Sequence, residues 1–127
     1  MYRSLRRIRD FHIHGASADL TKPICDENSL IWPGHEYTLT NLRFAYSINE
    51  KDAITSALEW AQTQRSGLHA TVPSTLAREI QINPFLCPED GSYTSLIPME
   101  EQESMTQEEL AIASLGNLRK LKYDFQG

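Results

Sequence analysis

The sequence predicts a mainly α, small helical domain with one or two remnant strands. Three observations lead there. Apolar residues recur at spacings of three and four through several separate stretches. Helix-boundary residues punctuate those stretches. Only one short continuous apolar run, Leu30-Ile31-Trp32, reads as a strand, and Pro33-Gly34 ends it.

Each element follows from its own residues. In residues 2–9, Leu5 and Ile8 lie three apart, a short helix signal. Residues 10–28 contain Gly15 and Pro23 with little periodicity, and read as a loop. In residues 38–47, Leu39, Leu42, Ala45 and Tyr46 share one helical face. Asn49 is placed to cap a second helix, with Asp52 in its first turn. Ala53, Ile54, Ala57, Leu58 and Ala61 form the apolar face of that helix, Trp60 lies on its flank, and Gly67 stops it. Pro73 and Ser74 open a third, short helix through Ile80. Asn83-Pro84 breaks it, because the residue before proline avoids the helical region. Residues 87–104 read as loop, with a turn at Asp90-Gly91. Thr106 and Glu109 have the spacing of a capping box for a last helix that carries Leu110, Ala113, Leu118 and Leu121 and ends near Lys122. A lone strand leaves its ladder unsatisfied, so the pattern predicts a sheet partner from outside this chain.

Bulk composition narrows the function. The 127 residues suit one small domain; 40 % are hydrophobic and 23 % charged, an ordinary globular balance. A net charge of −5 speaks against general nucleic-acid binding, which calls for a basic excess. No stretch approaches the roughly 18 apolar residues of a membrane span. Arg3, Arg6, Arg7 and Arg9 crowd the start. They read as a solvated helix face, with a mitochondrial presequence as the alternative. Cys25 and Cys87 are too few and too far apart for a disulfide framework. They read as free thiols in a reducing compartment, the cytoplasm or the mitochondrion.

Four histidines invite a metal reading. His12-Ile13-His14 would present both rings to one side if the segment were extended. Two ligands fall short of a stable zinc site, and the alternative is a pair of exposed loop histidines. His69 pairs with nothing by spacing and reads as structural. His35 differs, because it follows the strand and Pro33-Gly34, where side chains project beyond a sheet and Gly34 permits a sharp turn. At the other end, Arg119, Lys120 and Lys122 complement the negative end of the last helix. Alternatively they anchor a carboxylate-bearing ligand.

Four blocks of sequence then carry a resemblance. Gly34-His35-Glu36-Tyr37-Thr38 runs on to Asn41-Leu42-Arg43-Phe44-Ala45. Leu58-Glu59-Trp60-Ala61 follows, then Thr71-Val72-Pro73-Ser74-Thr75-Leu76 with Glu79, then Asn83-Pro84-Phe85-Leu86. In order and spacing they resemble the glyoxalase II (hydroxyacylglutathione hydrolase) family. Residues 29–127 look like its C-terminal helical region plus the last strand of its αββα sandwich. Residues 1–28 look like a preceding helix followed by an insertion. The resemblance implies hydrolysis of S-D-lactoylglutathione to D-lactate and glutathione at a pair of zinc, iron or manganese ions. It implies a metal-ligand role for His35, substrate contact by His35 and Tyr37, and carboxylate recognition by Arg119 and Lys122, with glutathione or an S-acylglutathione as partner. The sequence departs from the family in its metal donors. His12-Ile13-His14 is followed by neither the aspartate nor the further histidine of the family motif, and the bridging carboxylate has no counterpart. No residue is therefore assigned a catalytic role. Two functions remain. One is a family hydrolase, catalytically incomplete as it stands and dependent on a partner for its metal-binding half. The other is a non-catalytic module that binds glutathione conjugates, or binds a protein or itself through the face left by the missing sandwich.

Overall fold

A computed structural model describes residues 1–14 and 29–126 of the chain, and for residues 10–14 it describes the helical backbone alone. Helix α1 spans Tyr2–His14 and packs against two later helices, α4 (Leu76–Ile82) and α7 (Gln107–Asp124). Arg3 Nε donates to Glu108 Oε1 at 3.2 Å, and Arg9 pairs with Glu89 while donating to the Leu86 carbonyl at 3.4 Å. The helix runs past the expected residue 9 to His14, so positions 12 and 14 are helical. Positions two apart on a helix do not share a face, which removes the extended geometry on which the His12/His14 pairing rested. Most of the expected loop and insertion, residues 15–28 with Cys25, lies outside the described residues.

Strand β1, Leu30–Ile31, pairs antiparallel with β2, Ser74–Thr75; Leu30 faces Thr75 and Ile31 faces Ser74. The Leu76 N–H extends the ladder by donating to the Ser29 carbonyl at 2.8 Å. The partner of β1 therefore comes from within this chain, correcting the expectation of an outside one. The same pairing corrects the start of the third helix: Ser74 and Thr75 are extended, and α4 begins at Leu76. Thr75 is its N-cap, accepting from the Arg78 N–H at 3.2 Å.

Helices α2 (Thr38–Ile48) and α3 (Asp52–Ser66) form a hairpin around one buried apolar cluster. Leu42 and Ala45 of α2 meet Ile54, Ala57 and Ala61 of α3, with Ile82 of α4 closing the cluster. Asn49 ends α2 instead of opening α3: its N–H donates to the Ala45 carbonyl at 3.0 Å. The extended N-cap of α3 is Lys51, three residues before Ile54, whose N–H it accepts. Asp52 keeps its expected place in the first turn. Phe44 is buried on the far side of α2 between Phe85, 5.9 Å away, and Phe125, 5.6 Å away edge-on.

The expected loop at 87–104 contains two single helical turns, α5 (Gly91–Thr94) and α6 (Met99–Gln102). Asp90 supplies the turn chemistry. Its Oδ1 accepts from the Ser92 N–H at 2.9 Å and its Oδ2 from Lys51 Nζ at 2.6 Å. Gln102 then closes the segment by donating to the Ile97 and Thr94 carbonyls at 2.7 and 3.2 Å. Tyr93 and Ile97 are buried there. Helix α7 opens with the expected capping box, Thr106 and Glu109 each holding the other's backbone N–H. Its buried stripe is Ala111, Ser114, Leu115 and Leu118. Of the residues expected inside, Leu118 is buried, Leu110 and Ala113 are half-buried, and Leu121 is exposed. Among the described residues no helix is long and apolar enough to cross a membrane.

Candidate functional site

The segment leaving β1 presents alternate side chains to two different neighbours. His35 and Tyr37 stack on each other, ring centroids 5.4 Å apart and planes inclined by 29°. The Tyr37 N–H donates to the His35 carbonyl at 3.2 Å, and the Tyr37 carbonyl accepts from Asn41 at the start of α2. Glu36, between them, is turned to the loop that precedes β2. Its Oε1 accepts from the Thr71 hydroxyl at 2.7 Å, the Thr71 N–H at 2.8 Å and Arg65 Nη1 at 3.4 Å. The Thr71 hydroxyl, then its N–H, with help from the Arg65 charge, hold the Glu36 pKa below the usual glutamate value. The turn itself makes no demand for glycine: a Cβ on Gly34 would meet nothing within 4 Å, and its backbone is not in the left-handed region.

His35 and Tyr37 stand at a partly open cavity of about 220 Å³ bordered by β1, α2, α3, α4 and Phe85. Asn41, Trp60, Arg78 and Glu79 also line it. Arg78 lies over the Trp60 indole, its guanidinium carbon 4.0 Å from the ring centroid. Glu79 Oε2 accepts from Asn83 Nδ2 at 3.0 Å. Asn83 Oδ1 in turn accepts from the Phe85 N–H at 3.1 Å, which fixes the Asn83-Pro84-Phe85 corner.

Arg119 and Lys122 lie together in a second, open crevice with Met1, Leu5 and Tyr123. Phe85 is a wall of both depressions. The structure thus groups His35 with Tyr37 and Arg119 with Lys122, and sets the two groups in neighbouring depressions. Lys122 Nζ donates to the Thr40 carbonyl at 3.3 Å and sits 5.1 and 5.3 Å from the centroids of Phe44 and Phe125. Burial lowers its pKa below the ordinary lysine value. Lys120 is exposed. His69 packs its ring beside Gly67, where an added Cβ would fall 2.8 Å from His69 Cδ2.

Sequence reading missed Glu36 as the clasp of the motif, and Arg78 and Trp60 as cavity groups. Glu36 lay inside the Gly34–Thr38 block and was legible there. Arg78 carried no signal, because its meeting with Trp60 joins two helices that chain spacing does not relate.

The family resemblance implies a pair of metal ions, and the described residues do not fit them. Among them no group of three or more His, Cys, Asp or Glu is arranged to hold a metal ion. His35 alone supplies one neutral nitrogen, too few donors and no charge to balance two dications. Cys87 is free and half-buried, and burial raises its thiol pKa, which suppresses thiolate chemistry.

Fold and site together define a small helical domain with a polar-edged cavity beside a cationic crevice. Comparison with known proteins names its kind. The sequence model described as "Hydroxyacylglutathione hydrolase C-terminus" matches residues 36–125, and the chain belongs to that family. The hydroxyacylglutathione hydrolase of Haemophilus ducreyi is 50 % identical over 62 residues, 47 % of this chain and 26 % of the relative. That of a Nostoc species is 48 % identical over 61 residues, 47 % of this chain and 24 % of the relative. That of Shewanella loihica is 33 % identical over 84 residues, 65 % of this chain and 32 % of the relative. The chain therefore matches only a quarter to a third of the length of these relatives.

Proposed function

We propose that this chain furnishes the glutathione-recognition part of a hydroxyacylglutathione hydrolase, and that thioester hydrolysis by it requires metal donors from beyond the described residues. The reaction is cleavage of S-D-lactoylglutathione to D-lactate and glutathione. One observation carries the reading: in a family member, the stacked His35–Tyr37 pair faces a cavity that shares the Phe85 wall with the Arg119–Lys122 crevice. Glutathione is an extended tripeptide with a carboxylate at each end. A ligand lying across Phe85 places one carboxylate at Arg119 and Lys122, which lie one turn apart on α7. His35 is the single metal-binding nitrogen the site offers. Zinc, iron or manganese would serve as Lewis acid and water activator once a full donor set surrounded it.

Calorimetry on the 127-residue chain with glutathione tests recognition. Saturable binding is expected, and Arg119→Ala or Lys122→Ala should each weaken it by about tenfold, the scale of one charge-assisted hydrogen bond. No measurable binding overturns the recognition reading. Metal analysis and an S-D-lactoylglutathione assay with added zinc or iron test incompleteness. Two retained metal ions with turnover would overturn that part.

A second reading has its own observation. Leu30 of β1 and Trp32 just beyond it are 52 % and 70 % exposed, an apolar strip of the kind found at protein contacts. As an interaction module the chain would bury that strip against a partner or a second copy. Sedimentation showing a concentration-dependent dimer, abolished by Trp32→Ser, would favour this reading.

A further inference from the structure

We infer that the cavity beside His35 and Tyr37 contains a subsite for the zwitterionic end of an α-amino acid, with Arg78 holding its carboxylate and Glu79 its ammonium. The inference rests on the proposed glutathione site and deepens it by assigning the γ-glutamyl end.

Arg78 is the cavity's own cation. Arg119 and Lys122 lie in the neighbouring crevice. The Arg78 guanidinium carbon sits over the Trp60 indole, 4.0 Å from its centroid. A cation–π contact of this kind uses none of the guanidinium's N–H donors for a hydrogen bond to an acceptor, which leaves them for a hydrogen-bonding partner. Among the described residues no carboxylate pairs with it. A half-buried guanidinium without an acid, at the wall of a cavity, is matched by a ligand carboxylate.

The next residue adds the opposite charge. Glu79 also lines the cavity, and its Oε2 is fixed by Asn83 Nδ2. A plain carboxylate ligand would meet this second charge unfavourably. A group carrying both an ammonium and a carboxylate on one carbon meets both favourably. The γ-glutamyl end of glutathione is such a group, while its glycyl end carries a carboxylate alone. The arrangement therefore sets direction: γ-glutamyl in the cavity, glycyl carboxylate across Phe85 toward Arg119 and Lys122. Thr75 supports the geometry by capping α4 at the Arg78 N–H.

The test titrates the 127-residue chain with glutathione, with L-glutamate, and with glutarate, which lacks the ammonium. Trp60 emission in a Trp32→Phe background serves as the local reporter. Arg78→Met keeps a long side chain over the indole without its charge, Arg78→Lys keeps the charge, and Glu79→Gln keeps the bond to Asn83. Far-ultraviolet circular dichroism selects folded variants. The expected result is glutathione affinity at least tenfold weaker in Arg78→Met, less weakened in Arg78→Lys, and about threefold weaker in Glu79→Gln. L-glutamate should shift Trp60 emission more strongly than glutarate. Glutathione binding unchanged in Arg78→Met and Glu79→Gln overturns the subsite and leaves the proposed function standing. If glutathione fails to bind the parent chain, the proposed function falls. The subsite then stands on Arg78-dependent L-glutamate binding, or falls without it.

Discussion

Single residues decide how the Gly34–Thr38 motif is held. His35 and Tyr37 face the cavity, while the carboxylate of Glu36 fixes the segment between them to Thr71. The motif marked these three residues in the sequence, yet it gave no direction for Glu36, because its partner Thr71 lies 35 residues away. The Glu36 pKa is depressed in the folded protein, so this contact adds stability above the unfolded glutamate value, taken as 4.5. The contribution disappears as pH falls through the lower folded value. Glu36→Gln should flatten that acid limb and weaken glutathione binding severalfold by loosening His35 and Tyr37. An amide nuclear-resonance titration of Thr71 checks both. A Thr71 shift that still titrates with an acidic pKa in Glu36→Gln would show that another carboxylate holds the loop.

At the scale of elements, legibility followed the origin of the signal. The α7 capping box and the Asn83-Pro84 stop were readable because each rests on residues within a few positions. Strand β2 was not, since Ser74 and Thr75 extend only because β1 lies beside them, more than forty residues earlier. The buried stripe of α7 was displaced because Ser114, a small polar residue, occupies a core position that an apolar count passes over. Helix α4 shows how one cap serves a site. It has seven residues, and Thr75 satisfies an N–H in its first turn that would otherwise lack a helical partner. Thr75→Ala should cost about 1 kcal/mol, lowering the melting temperature by roughly 4 °C in a chain of this size. It should also weaken glutathione binding, because the same cap steadies Arg78. Thermal melts and calorimetry on the one variant separate these effects.

Across the whole molecule, stability is distributed unevenly, and the uneven part lies beside the site. The α2–α3 hairpin and the inner face of α7 hold the closed positions: Ile54, Ala61, Ala111 and Leu118 have no measurable exposure. Leu118→Ala should therefore cost about 2–5 kcal/mol through lost burial and a cavity, a large share of the stability of a domain this small. The β1–β2 ribbon offers two residues per strand, with Leu30 and Trp32 open to solvent, and so small a ribbon is marginal by itself. Native-state hydrogen exchange should separate the two regions. Amides of Ile54–Ala61 and Ala111–Leu118 should exchange only on global unfolding, while those bonded across Leu30–Ile31 and Ser74–Thr75 should exchange by local opening. His35, Tyr37 and Thr71 flank that ribbon, so a ligand filling the cavity against β1 and α4 should suppress its local opening, and should also slow the globally exchanging hairpin by stabilising the native state. Saturating glutathione provides the contrast. Exchange at residues 30, 31, 74 and 75 that glutathione leaves unchanged would place the ligand away from the cavity.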